Sequence, residues 1–183
     1  NQCPTQPMFK QITEPDPLLA SDTIDDKFGY GVTCNGGNDG FAAIYPVGGT
    51  QPYTYLWTDG QTTSFVDTLI AGTYDITVMD INTCSIVHTL IITEPVPVTA
   101  SAVLSDYSGY QISCFGGFDG SIDLTPADGV APYSFLWNTG DTTEDLIDLG
   151  AGDYEVLVTD THGCVVIFNV TLTEPVLFEI DTI

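Results

Sequence analysis

The stretch "AGTYDITVMDINTC", Ala71 to Cys84, decides how the chain is read. Residues alternate through it. Tyr74, Ile76 and Val78 fall on one face and Asp75, Thr77 and Met79 on the other, the period of two that marks a half-buried strand. A second version, "AGDYEVLVTDTHGC", runs from Ala151 to Cys164 with Tyr154, Val156 and Val158 as its inward set. The offset is 80 residues (154 − 74 = 80; 164 − 84 = 80), and it also relates Cys34 to Cys114, Trp57 to Trp137, and Glu14 to Glu94 to Glu174. Sliding 16–95 onto 96–175 needs no gap and leaves about 30 positions identical, which marks a tandem repeat.

Working outward, the same alternation places the other strands. In "PYTYLW" (52–57) Tyr53, Tyr55 and Trp57 share a face, matched by Tyr133, Phe135 and Trp137. In the last strand of each copy, Ile86, His88, Leu90 and Ile92 match Val166, Phe168, Val170 and Leu172. Asp-Gly turns at 39–40 and 119–120 each precede a strand. No window sustains a 3.6-residue apolar period. The expected fold is therefore all-β: tandem immunoglobulin-like β-sandwich modules of about 80 residues in an extended array, each with a Trp on a middle strand. The spacing Leu-x-x-Gly-x-Tyr at 69–74 and 149–154 suits a tyrosine corner, with ordinary aromatic core as the alternative. "ITEP" at 12–15 and 92–95, and "LTEP" at 172–175, end each copy, because proline offers no N–H to a ladder. By this reading residues 1–15 are the last strand of a preceding repeat, 16–95 and 96–175 are two repeats, and 176–183 begin a following one.

Composition narrows the function classes. The chain of 183 residues carries 25 acidic residues against Lys10 and Lys27, with a formal charge of −23. Nucleic acid and anionic membranes need clustered Lys and Arg, so neither is an expected partner. A content of 43% hydrophobic and 11% aromatic residues separates the chain from acidic disordered tails, which lack the means to bury a core. No apolar run reaches 18 residues, so membrane insertion is not expected. The stretch "NQCPTQP" at 1–7 lacks the features of a signal peptide, so a secreted form would be cut from a longer precursor.

The five cysteines read as one disulfide per repeat, Cys34–Cys84 and Cys114–Cys164, with Cys3 paired to a cysteine outside this chain. Each loop of about 50 residues would be worth roughly 4 kcal/mol in the chain-entropy model. Paired reduced thiols are the alternative. The absence of CxxC spacing and of His ligands favours disulfides, and with them an oxidising, extracellular setting.

Four elements stand in order in each copy: Cys-x-Gly-Gly-x-Asp-Gly (34–40, 114–120), Pro-Tyr-x-Tyr/Phe-Leu-Trp-x-x-Gly (52–60, 132–140), Ala-Gly-x-Tyr followed by Val-x-Asp-x-x-x-Cys (71–84, 151–164), and Thr-Glu-Pro. Together they resemble the SprB repeat of Bacteroidota cell-surface proteins, with a looser likeness to PKD-type modules. The resemblance implies a large secreted surface protein, exported by the type IX system, with many tandem modules. It implies a role in surface adhesion and, in gliding bacteria, in movement.

The repeat itself tests for chemistry, since a residue serving a common function should occur in both copies. His88 becomes Phe168 and His162 matches Asn82, so no histidine is shared. His88, at an inward position, reads as a tolerated core residue. No nucleophile elbow, phosphate loop or zinc spacing is present, so an enzyme is not expected. Shared acids are the better candidates. Asp39, Asp80, Asp119 and Asp160, or Asp26 with Glu94 near the module junction, offer hard oxygen ligands for Ca²⁺, the one candidate cofactor. Backbone capping of loops is the favoured alternative. Asp-Thr-aliphatic or Asp-Thr-Thr sites at Thr23, Thr68, Thr142 and Thr182 are similar to the O-glycosylation sequon of exported Bacteroidota proteins. Phe41 and Tyr45 read as outward-facing aromatics in the first copy, where the second has Ser121 and Thr125.

Three functions follow as expectations: a stalk that spaces an adhesive tip from the cell, a glycan- or surface-binding module, and an accessory array on a secreted enzyme. Expected partners are neighbouring repeats of the same chain, surface glycans and other adhesin subunits.

Overall fold

The computed structural model describes residues 13–177, which hold twelve strands and no helix. In chain order they are β1 (Leu19–Ile24), β2 (Gly40–Val47), β3 (Thr54–Trp57), β4 (Phe65–Leu69), β5 (Gly72–Met79) and β6 (Ser85–Ile92), then β7 (Thr99–Leu104), β8 (Gly120–Ala127), β9 (Ser134–Trp137), β10 (Leu146–Leu149), β11 (Gly152–Thr159) and β12 (Val165–Leu172). They form four three-stranded antiparallel sheets. The first six strands make β1-β2-β4 and β3-β5-β6, and the second six repeat the pattern as β7-β8-β10 and β9-β11-β12. Each pair of sheets closes on one core, giving two successive β-sandwich modules. Cys3, the Ile12 end of the first "ITEP", Thr182 and most of the flanking-strand assignments lie outside the described residues.

The alternation read from sequence is the alternation of burial. In β5, Ile76 and Val78 are fully buried and Tyr74 is half-buried, while Asp75 and Met79 are exposed. The first core joins Ala42, Ile44 and Val66 from one sheet to Trp57, Ile76, Val78, Leu90 and Ile92 from the other. The second core is built the same way around Trp137, Ile122, Val156 and Val158. Each indole N–H is also satisfied, since Trp57 Nε1 donates to Thr63 O at 2.8 Å and Trp137 Nε1 to Thr143 O at 2.9 Å. Both tyrosine corners are formed. Tyr74 donates its hydroxyl to Ile70 O at 3.1 Å and Tyr154 to Gly150 O at 3.0 Å, tying the entry of β5 and β11 to the preceding turn.

Two expectations are corrected. His88 is not a core residue: on edge strand β6 it is half-buried, and its Nε2 lies 2.7 Å from Asp22 Oδ1 on β1, bridging the edges of the two sheets. The second module holds Phe168 and Ala102 at these positions, both packed on its core, so an apolar pair replaces a polar one.

The disulfide pairing also differs. Neither Cys34–Cys84 nor Cys114–Cys164 forms. Cys34 is bonded to Cys164, 130 residues away, with a Cα–Cα distance of 5.4 Å, and Cys84 and Cys114 are exposed thiols. The reason is strand direction. The loop holding Cys34 sits at the end of the module where β6 finishes, since Gly31 and Val32 donate their N–H groups to Thr93 O. Cys84 immediately precedes β6, whose eight residues span roughly 26 Å at 3.3 Å per residue. A disulfide needs Cα atoms within about 7 Å. The two cysteines of one module therefore lie at opposite ends of it and cannot meet.

Removing the corner hydroxyl tests its share of the fold. Tyr74→Phe and Tyr154→Phe each keep the ring and strand an accepting carbonyl, so each is expected to lower stability by about 1 kcal/mol in urea unfolding. A loss below about 0.3 kcal/mol would show that the corner bond is idle.

Candidate functional site

Because the Cys34 end of the first module meets the Cys164 end of the second, the site with the densest specific chemistry is the junction between them. Its floor is the β11–β12 turn of the second module. Asp160, only 6% exposed, accepts N–H bonds at Oδ1 from His162 and Cys164, both at 2.9 Å, and at Oδ2 from Val130 at 3.0 Å. One carboxylate thus locks two loops together and fixes the backbone of Cys164. A Cβ on Gly129 would stand 2.6 Å from Val98 Cγ2 and 2.9 Å from Asp160 Oδ2, and its φ is +63°, so glycine is required for the loop to approach the carboxylate.

The first module contributes the loop 25–39. Asp39 accepts the Thr33 N–H at 3.0 Å and also the Thr33 hydroxyl. Glu94 reaches back from "ITEP" to accept the Gly36 N–H at 2.7 Å, and Asn35 Nδ2 donates to Pro95 O at 3.1 Å. The linker is thereby bound to the loop that carries Cys34. Phe28, held in the left-handed region at φ 58°, stacks on His162 with ring centroids 3.7 Å apart and planes 12° apart. A cleft of about 240 Å³ remains between the modules, lined by Phe28, Tyr30, Val96, Val130, His162 and others.

The four aspartates proposed as calcium ligands thus act on backbone N–H groups: Asp39 and Asp119 within their own loops, Asp80 and Asp160 also on the loop that packs against theirs. Asp80 mirrors Asp160, accepting from Asn82 and Cys84 at Oδ1 and Thr50 at Oδ2, all at 2.9 Å. Asp119 mirrors Asp39 in accepting the Ser113 N–H at 3.1 Å. Asp26 accepts the Gly29 N–H within its own turn. Among the described residues no group of three or more His, Cys, Asp or Glu side chains converges as a metal site requires. The arrangement is that of loop capping, with the carboxylate oxygens engaged by backbone N–H groups.

Burial by itself would raise the pKa of Asp80, but the N–H bonds from Thr50, Cys84 and Asn82 outweigh it and hold the carboxyl below its ordinary value. The Thr33 hydroxyl and N–H lower Asp39, and the Ser113 hydroxyl and N–H lower Asp119.

The remaining candidates are scattered. Thr23 and Thr68 are exposed on edge strands β1 and β4, and Thr142 is exposed in the β9–β10 loop. Tyr45 and Phe65 are exposed and Phe41 half-buried around a surface cleft of about 410 Å³ on the first module, with the Phe41 and Phe65 rings 6.2 Å apart. The sequence reading missed Phe65, which the second copy replaces with Asp145. Glu94, read in the sequence as a candidate ligand with loop capping as the favoured alternative, caps the Gly36 N–H, and Glu174 caps the Gly116 N–H in the same way.

An all-β chain of two end-to-end sandwiches, joined by a cystine and built on shared scaffold residues, belongs to the class of tandem extracellular modules. The family is specific: a model of the SprB repeat matches residues 32–62 and 110–142, once in each module, and the chain carries SprB repeats in tandem. Its architecture is that of a cell-surface, adhesin-type protein in a non-catalytic repeat family, and it is extracellular. No helix among the described residues is long and apolar enough to cross a membrane. No curated protein matches the chain. Among solved structures, it is similar to the fibronectin(III)-like modules of Clostridium thermocellum CbhA (14% identity, 84% of this chain and 94% of that one, TM-score 0.34). It is also similar to murine CEACAM1b (12% identity, 76% and 94%, TM-score 0.27). A third is Bacteroides ovatus SGBP-B of the mixed-linkage glucan utilization locus, solved with a mixed-linkage heptasaccharide (14% identity, 91% and 71%, TM-score 0.26).

Capping by ionised carboxylates predicts a signed acid response. A carboxyl whose pKa is lower in the folded state contributes fully above the unfolded value and loses that contribution as pH falls through the folded value. The melting temperature should therefore stay nearly level from pH 7 to about 5 and drop below the ordinary value of 3.8. Asp80→Asn should be less stable at pH 7 and lose less on acidification. A parallel acid profile for wild type and variant would remove Asp80 as a cause.

Proposed function

We propose that the chain is a stalk segment of a secreted adhesin-type surface protein, spacing a distal contact from the cell during adhesion and, where the parent protein is propelled, gliding. It performs no catalysis itself. The observation that carries this reading is the junction. Six residues, 93–98, separate β6 from β7, and a cystine, an aromatic stack and two hydrogen bonds hold that short connection. Inter-domain contacts ordinarily permit motion, and a covalent bond across the ends restricts it. The charge of −23 adds repulsion against folding back, screened beyond about 8 Å at physiological salt. Residues shared by both copies are core, turn and capping residues, as a spacer requires.

A second reading is favoured by one feature. The Phe41, Tyr45 and Phe65 surface gives the first module an exposed aromatic patch that the second lacks, and such patches mark contact sites. It would make the first module a local glycan or surface contact within the stalk. Exposed Thr23, Thr68 and Thr142 leave O-glycosylation open on the same stalk. An intact mass of native protein equal to the bare polypeptide would reject it.

Small-angle scattering tests the stalk. A compact globule of this length has a radius of gyration of about 16 Å. The oxidised chain should exceed that and give the pair-distance profile of a rod, and Cys34→Ser should broaden the profile without changing strand content by circular dichroism. A compact profile for the oxidised chain would contradict a stalk. Binding in a glycan array, lost in Tyr45→Ala and Phe65→Ala, would establish the second reading.

A further inference from the structure

The two exposed cysteines are not equivalent to each other. Cys114 occupies in the second module the position that Cys34 holds in the first, and Cys84 occupies in the first the position of Cys164 in the second (34 + 80 = 114; 164 − 80 = 84). The chain thus presents, unpaired among the described residues, both halves of the bond that it has already made once at its centre. We infer that Cys84 and Cys114 are the complementary halves of further inter-module cystines. Cys114 takes the Cys84-equivalent of a following SprB repeat, and Cys84 takes the Cys114-equivalent of a preceding one.

Sequence equivalence alone would not carry this, but both halves are held in the bonded form. Around Cys34, the Thr33 N–H is bound by Asp39, Gly36 N–H by Glu94, and Gly37 N–H donates to Cys34 O at 2.9 Å. Around Cys114, the Ser113 N–H is bound by Asp119, Gly116 N–H by Glu174, and Gly117 N–H donates to Cys114 O at 3.0 Å. Around Cys164, Asp160 Oδ1 accepts the N–H of Cys164 and of residue 162, and around Cys84, Asp80 Oδ1 accepts the N–H of Cys84 and of residue 82. Gly129 and Gly49 make the same close approach to their aspartates, at φ +63° and +57°. Other junction positions recur too: Tyr30 as Tyr110, and Pro95-Val96 as Pro175-Val176, with Val176 85% exposed. The Phe28–His162 stack does not recur, since those positions become Ser108 and Asn82. The cystine is therefore the general element of the junction and the stack a local one.

The bond forms by loss of two protons and two electrons from two thiols. A small-molecule or protein disulfide, as found in an oxidising exterior, accepts them and is released as two thiols. This inference extends the stalk reading and rests on it for the presence of further repeats in line. Scattering from one chain tests the stalk, whereas cross-linking between chains tests the bond, so either can fail alone.

The test uses a second copy of the full chain as the further repeat, with Cys3→Ser throughout. One copy carries Cys84→Ser and keeps Cys114; the other carries Cys114→Ser, keeps Cys84 and bears an affinity tag. Glutathione disulfide is the oxidant. Each variant alone should stay monomeric on a non-reducing gel. The mixture should give a covalent heterodimer, cleared by dithiothreitol, whose peptide map links Cys114 to Cys84 while Cys34–Cys164 stays intact. The chain retaining both cysteines should give a ladder of oligomers. Equal homodimer yields from each variant alone, no heterodimer in the mixture, or a map joining Cys34 to Cys84 would each overturn the inference.

Discussion

A buried aspartate facing three backbone N–H groups is the interaction on which the rest of each module depends. Asp80 and Asp160 are 4% and 6% exposed, positions where a carboxylate is tolerable only with its oxygens engaged. Each draws the β5–β6 or β11–β12 turn against the loop that follows β2 or β8. In doing so it closes one end of the sandwich and sets the backbone of the cysteine four residues on. The end of the module is therefore rigid before any neighbour touches it.

With that end fixed, the antiparallel order of strands determines what a junction can be. The loop 25–39 emerges where β6 ends, so its cysteine faces the next module rather than its own partner in sequence. What the two copies share is scaffold: tryptophans, tyrosine corners, carboxylate caps and cysteines. What they do not share is surface, as with Phe41, Tyr45 and Phe65 on one module and Ser121, Thr125 and Asp145 on the other. The edge-bridging His88–Asp22 pair changes as a unit to Phe168 and Ala102, as residues on facing edges should.

Much of this was legible in the sequence because it depends on period alone. Tyr74, Ile76 and Val78 alternate, Trp57 sits on the strand paired with them, and Leu69-x-x-Gly-x-Tyr74 has the spacing of a corner. The connectivity of the cysteines was not legible, because counting one pair per repeat gives a number of bonds and no partners. The partner became clear only with direction added: an eight-residue strand places Cys84 at one end of the module and the Cys34 loop at the other. Similarly, Asp80 and Asp160 showed in sequence as inward carboxylates in need of partners. The sequence favoured backbone N–H groups over a cation for that need, and only the folded turn shows which N–H groups supply it. His88 was misread because its partner Asp22 lies 66 residues away on another sheet.

The cystine between module ends also alters how the chain would carry tension. A pull applied beyond both modules travels along covalent bonds, and the shortest such route leaves the backbone at Cys34 and rejoins it at Cys164. The 130-residue separation is bypassed, so the strands β2 through β11 lie off the load path and need not resist it with hydrogen bonds. Were that stretch to unravel, it would add roughly 450 Å of slack at about 3.5 Å per residue. A sulfur–sulfur bond placed across the junction thus caps how far the segment can lengthen under load, leaving only the outer strands β1 and β12 on the path of the force.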